Sequence, residues 1–96
     1  MGIDEILAGK RDEILRIAKK HGVTNIRVFG SVARGDAGPQ SDVDFLIEIG
    51  DDTPPWFPGG LIADLEELLG RRVDVVSPSW LRQVIKDDVL AEARPL

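Results

Sequence analysis

One run of seven residues limits the folds open to this chain more than any other feature: Val43-Asp44-Phe45-Leu46-Ile47-Glu48-Ile49. Successive side chains of a strand point to opposite faces, so a strand here places Val43, Phe45, Ile47 and Ile49 on one side. Asp42, Asp44, Leu46 and Glu48 share the other. The first face needs a core laid against it. The second begins with two carboxylates, which a strand holds side by side, roughly 6.5–7 Å apart. Such a pair is either a solvated rim or a site that holds something positive.

The remaining elements arrange themselves around that strand. Ile3, Ile6, Leu7, Ile14, Ile17 and Ala18 recur at helical spacing, which predicts one helix from Ile3 to His21, closed by Gly22 in a left-handed conformation. Asn25 to Gly30 reads as a short strand with Ile26 and Val28 on one face. The stretch GDDTPPWFPGG cannot continue a strand and reads as a loop. Leu61 to Leu69 is amphipathic and ends at Gly70. Arg72 to Val76 is a third strand, with Val73 and Val75 on one face and Asp74 on the other. A last helix from Ser79 to Ala93 puts Trp80, Leu81, Val84, Ile85 and Val89 on one side, with Ser79 as its N-cap. The expected fold class is α/β, a small mixed β-sheet with helices packed on one face. The opposite face, carrying three aspartates, is expected to be open.

Composition narrows the classes. A chain of 96 residues has material for one core, so residues 1–96 are expected to form a single domain. Its 43% hydrophobic and 30% charged residues exclude a disordered chain. With no cysteine, neither a disulfide frame nor a thiolate zinc site can form. The acids of MGIDEILAGKRDEIL do not suit a signal peptide, and no apolar run approaches a membrane span, so a cytoplasmic location with no membrane partner is expected. The net charge of −5 disfavours direct nucleic-acid binding. It suits a basic partner or a site that concentrates cations.

Chemistry gathers where the strands would meet. If the third strand lies beside the second, about 5 Å away, Asp74 joins Asp42 and Asp44. Carboxylates so close raise one another's pKa unless cations neutralise them. Their hard oxygens favour Mg²⁺ or Mn²⁺, and two such ions are the usual apparatus of nucleotidyl transfer. Gly30-Ser31 closes the first strand, and the following SVAR could open a short helix with Ser31 as N-cap. Glycine lets a backbone approach a phosphate closely, and Arg34 stands near enough to add a charged contact. The ten residues Val32 to Ser41 can turn the chain so that cradle and carboxylates share one edge of the sheet.

The residues GSVARGDAGPQSDVD match, without a gap, the Gly-Ser, ten residues, Asp-x-Asp signature of the DNA polymerase beta-like nucleotidyltransferases. RRVDVVSP is similar to the strand that carries that superfamily's third aspartate. In length and element order the chain resembles the minimal nucleotidyltransferases, or MNT antitoxins, encoded beside HEPN-domain toxins. The resemblance implies a palm-like fold, in which Asp42, Asp44 and Asp74 are catalytic and hold two Mg²⁺ ions, with Mn²⁺ an alternative. Asp74 would also help deprotonate the attacking hydroxyl. Gly30 and Ser31 would bind the β- and γ-phosphates of an ATP donor. Arg34 and Ser41 are further nucleotide-binding candidates by position, Ser41 either merely beginning the strand or orienting the aspartates. The implied activity is AMP transfer to a tyrosine of a HEPN ribonuclease toxin, in a hetero-oligomer with it. Larger relatives have a second domain for the acceptor, which this chain lacks, so the acceptor would sit on the palm or arrive as a docked protein.

Other residues receive plainer readings. His21 reads as a helix C-terminal charge, Trp80 as core, and Glu66, Glu67, Asp87 and Asp88 as solvated helix faces. Asp51 and Asp52 read as loop acids. Trp56 and Phe57 either tuck onto the core or meet a partner. Two functional rivals stand beside catalysis on a toxin: a non-catalytic antitoxin that works by occlusion, and a nucleotidyltransferase with a small-molecule or RNA acceptor.

Overall fold

The alternating run forms the middle strand of the sheet. In the computed structural model, which describes residues 1–51 and 53–96, β2 (Val43–Ile49) lies between β1 (Val23–Phe29) and β3 (Val73–Val76). β1 pairs with it antiparallel and β3 parallel, so the sheet is mixed. Asp52 lies outside the described residues.

The predicted first helix is two. α1 (Ile3–Ile6) and α2 (Arg11–Lys20) are separated by Gly9, whose φ of +74° no helix can contain. The break lets Leu7 turn into the core (3% exposed) while α2 buries Ile14 and Ala18. α3 (Gly30–Arg34) follows β1 directly, and its cap is Phe29, two residues ahead of the expected Ser31. α4 (Gly59–Leu69) ends at a left-handed Gly70, as expected.

The last predicted helix also divides. A 3-10 turn, Pro78–Trp80, precedes α5 (Gln83–Glu92), whose N-cap is Arg82, so Ser79 does not cap it. Trp80, read as core, is instead 49% exposed, and Val84 and Ile85 of the same apolar stripe are 79% and 51% exposed. Trp80 rests edge-on against Phe57, ring centroids 6.5 Å apart, and α5 buries no residue completely. The loop aromatics part company, since Phe57 packs on the core and Trp56 faces solvent.

α2 and α4 pack against each other and lie on β1 and β3 respectively. Between them and the sheet, Val43, Phe45, Ile47, Ile14, Leu61 and Leu65 are fully buried. Fully burying a side chain of this kind contributes about 1.5–3 kcal/mol, so this layer is the main source of stability. The opposite face is less open than expected. Leu46 is buried there, at 1% exposure, where the 3-10 turn packs on β2. On either side of Leu46 that face stays accessible, at the partly buried Asp44 with the exposed Asp74 beside it and at the exposed Glu48.

Candidate active site

Strand register brings the site together. Asp44 pairs across the sheet with Phe29 on one side and with Asp74 on the other. The chain leaves β1 at Phe29, so Gly30 arrives directly beside Asp44. Gly30 has φ +73°, and a Cβ there would collide with Asp44 Oδ2 and lie 3.1 Å from Cγ. Only glycine fits.

The ten-residue connection is held from two directions. Gly38 N–H donates to Ser41 Oγ at 2.8 Å, and Arg71 Nη1 donates to the carbonyls of Gly38 (2.9 Å) and Ser41 (3.2 Å). Ser41 thus braces the turn that delivers Asp42, rather than facing the aspartates. The Met1 carbonyl accepts the Ala37 N–H at 3.0 Å, tying down the turn's other flank. Glu66, read as solvated, accepts the Val73 N–H at 3.0 Å and fixes the start of β3.

The three aspartates differ in their surroundings. Asp44 is partly buried, and burial together with the nearby Asp74 and Asp42 carboxylates pushes its pKa up to about 6. Asp74 is exposed and accepts its neighbour Val75's N–H at 3.1 Å. Asp42 turns to Arg72, with Nε to Oδ1 at 3.3 Å, on an exposed rim. Asp44 and Asp74 are neighbours by strand register, while Asp42 is engaged by Arg72. Among the described residues, no three acidic or histidine side chains stand ready-gathered as a metal cluster.

Phe29, Gly30, Ser31, Arg34, Asp44 and Glu92 share the lining of a shallow cleft of about 390 Å³. Glu92 is the residue that sequence reasoning missed. Its carboxylate accepts the Gly30 N–H at 2.6 Å and Arg34 Nη1 at 3.0 Å. Nothing in the motif points to a residue 62 positions away from Gly30. Glu92 and then Asp36 hold the Arg34 guanidinium above its ordinary pKa. His21 stands apart from this site, buried at the end of α2 with Nε2 2.7 Å from Asp64 Oδ2.

A glycine that must be glycine, wedged against the first of two register-paired aspartates, is a geometry that comparison with known proteins can test. The family model described as a nucleotidyltransferase domain matches residues 11–96. The chain belongs to the nucleotidyltransferase domain family. This nucleotidyltransferase is 38% identical over 93 residues to MJ0435 of Methanocaldococcus jannaschii, a candidate protein adenylyltransferase, covering 97% of this chain and 96% of the relative. It is 38% identical over 91 residues to the protein adenylyltransferase MntA of Thermococcus cleftensis, covering 94% and 88%. Its fold matches the solved structure of a candidate minimal nucleotidyltransferase with a TM-score of 0.85 and 41% identity, over 100% of this chain and 97% of the other. A chain from a crystallised toxin–antitoxin with AMP-PNP shares the fold at a TM-score of 0.75 and 21% identity, covering 88% of this nucleotidyltransferase and 70% of that chain.

Proposed function

We propose that this nucleotidyltransferase is an antitoxin that transfers AMP from ATP to a hydroxyl, a tyrosine's, on a cognate HEPN ribonuclease toxin, in a reaction that depends on Mg²⁺. The observation that carries the reading is the placement of Asp44 between Gly30 and Asp74. It puts a backbone able to approach a phosphate against a pair of carboxylates. Relatives named protein adenylyltransferase over nearly the whole chain support the choice of a protein acceptor. Residues 1–96 would work as one domain.

The donor set fits hard divalent cations, since Asp42, Asp44 and Asp74 offer only carboxylate oxygens. When bound, Mg²⁺ would neutralise charge on the phosphates and on the departing pyrophosphate. The protein's own part is positioning. The Gly30 and Ser31 backbone and the Arg34 guanidinium would hold the β- and γ-phosphates, which fixes the α-phosphorus over Asp44. The tyrosine oxygen attacks that phosphorus, and the bond to the bridging oxygen breaks. Pyrophosphate leaves with the electron pair, and the hydroxyl proton passes to the exposed Asp74. Ser41 would act at one remove, by bracing the turn that carries Asp42.

The acceptor would approach across α5. Val89 and Asp88 line the cleft beside Gly30, and the exposed Val84 and Ile85 lie on the same helix. A docked protein covering them would bring its tyrosine to the cleft.

The test is transfer of label from α-labelled ATP to the toxin in Mg²⁺, with Asp42→Asn plus Asp44→Asn as the control. Loss of label together with loss of neutralisation supports catalysis. A double variant that neutralises as well as wild type would replace this reading with occlusion.

A further inference from the structure

We propose that Glu92 is an internal stand-in for the donor's phosphates: in the ligand-free protein its carboxylate occupies the anion position at Gly30 and must be displaced before a triphosphate can bind. The inference rests on the nucleotide reading of the site and adds a gate to it.

Both carboxylate oxygens are engaged. Oε1 takes the Gly30 N–H at 2.6 Å, and Oε2 takes Arg34 Nη1 at 3.0 Å. These are the two donors proposed above for phosphate, so Glu92 and a triphosphate would compete for the same hydrogens. One N–H cannot serve two anionic acceptors with good geometry. Nor can both anions stay, because Glu92 and Asp44 already line the same shallow cleft. A triphosphate would add several more negative charges at that spot.

The element that carries Glu92 is held in a way that permits release. α5 buries no residue completely and packs mainly against α3. Beyond Glu92 the chain is fastened by a two-bond bridge between Arg94 and Val28 (2.9 and 2.8 Å) and by Leu96, which packs partly buried on the core. A helix with no fully buried residue of its own opens at lower free-energy cost than the core elements do. The Glu92 clasp is thus at once the fastening of α5 and the occupant of the cradle.

The experiment measures binding of inorganic tripolyphosphate and of a non-hydrolysable ATP analogue, in Mg²⁺, to the full chain. Wild type is compared with Glu92→Gln and Glu92→Ala by calorimetry. Removing the competing anion is expected to tighten both ligands about tenfold, the equivalent of one charge-assisted hydrogen bond. Nucleotide is also expected to speed hydrogen exchange across residues 83–92 of the wild type, a readout that survives if a variant folds poorly. Unchanged or weaker affinity in the variants, or exchange in α5 that nucleotide slows, overturns the gate and leaves the nucleotide reading standing. If wild type and variants alike bind neither probe, the nucleotide reading itself falls and the gate with it.

Discussion

The Asp44 carboxylate fills the space that any side chain on Gly30 would need. The two residues are 14 positions apart in sequence and in contact because β1 ends opposite Asp44. Gly30→Ala must therefore push Asp44 aside as well as strain a backbone at φ +73°. The expected result is a loss of stability of about 1–3 kcal/mol and a fall in AMP transfer of about 100-fold or more, as misplaced catalytic groups give. Chemical denaturation of Gly30→Ala and of Gly30→Ala with Asp44→Ala checks this. The second change should return part of the lost stability, because the pair is coupled.

Asp44 also makes stability depend on pH. Its folded pKa, raised from 3.8 to about 6, means that the native state binds the proton more tightly than the unfolded chain. Stability of the metal-free protein should then fall as pH rises from about 4 through 6. Asp44→Asn should flatten that slope and raise stability at pH 7.5 by about 1–2 kcal/mol, a figure reduced for the group's partial exposure. Urea melts in EDTA across pH 4.5–8 measure it. A wild-type protein that gains stability over that interval would contradict the assignment.

Arg72 pairs with Asp42 across an exposed contact of 3.3 Å. Exposed pairs of this kind contribute little, so Arg72→Ala should change stability by less than about 0.5 kcal/mol. Divalent cations should bind the variant about threefold more tightly, because a competing charge has gone from beside the carboxylates. Titration with Mn²⁺, followed by its paramagnetic effect, reads the change directly.

Val84 and Ile85 stand out from α5 with no core to join. Val84→Ser and Ile85→Ser should leave the melting temperature within about 2 °C, as surface substitutions do. On the proposed reading they should weaken capture of the cognate toxin by about 1 kcal/mol or more each. Phe45→Ala is the contrasting case. It empties the centre of the sheet's buried face and should cost about 3–5 kcal/mol.

Period-two alternation was enough to place β2 and both of its faces, because one face had to be apolar along its whole length. The Gly-Ser motif with its spacing led to Gly30, Asp42 and Asp44, and a strand reading of RRVDVV led to Asp74. Helical spacing misled at both ends of the chain. From Ile3 to His21 it ran through Gly9, where a left-handed residue outweighs the apolar pattern. After Ser79 it marked a stripe on a helix whose apolar side has no core to meet. Glu92 lay beyond reach for another reason. It joins the site through the way α5 folds back onto α3, and no local spacing encodes a contact across 62 residues. The same limit hid Arg72 and Arg71, whose partners come from the turn before β2.

The bridge between Val28 and Arg94 has a bearing on how copies of the protein behave when crowded together. A three-stranded sheet has two rims, and an unpaired rim invites another molecule to add a strand. Here the backbone of Arg94 occupies the outward N–H and carbonyl of Val28. The other rim is β3, only four residues long and interrupted by the charge of Asp74. Neither rim is both long and apolar, so concentrated solutions should resist strand-to-strand aggregation.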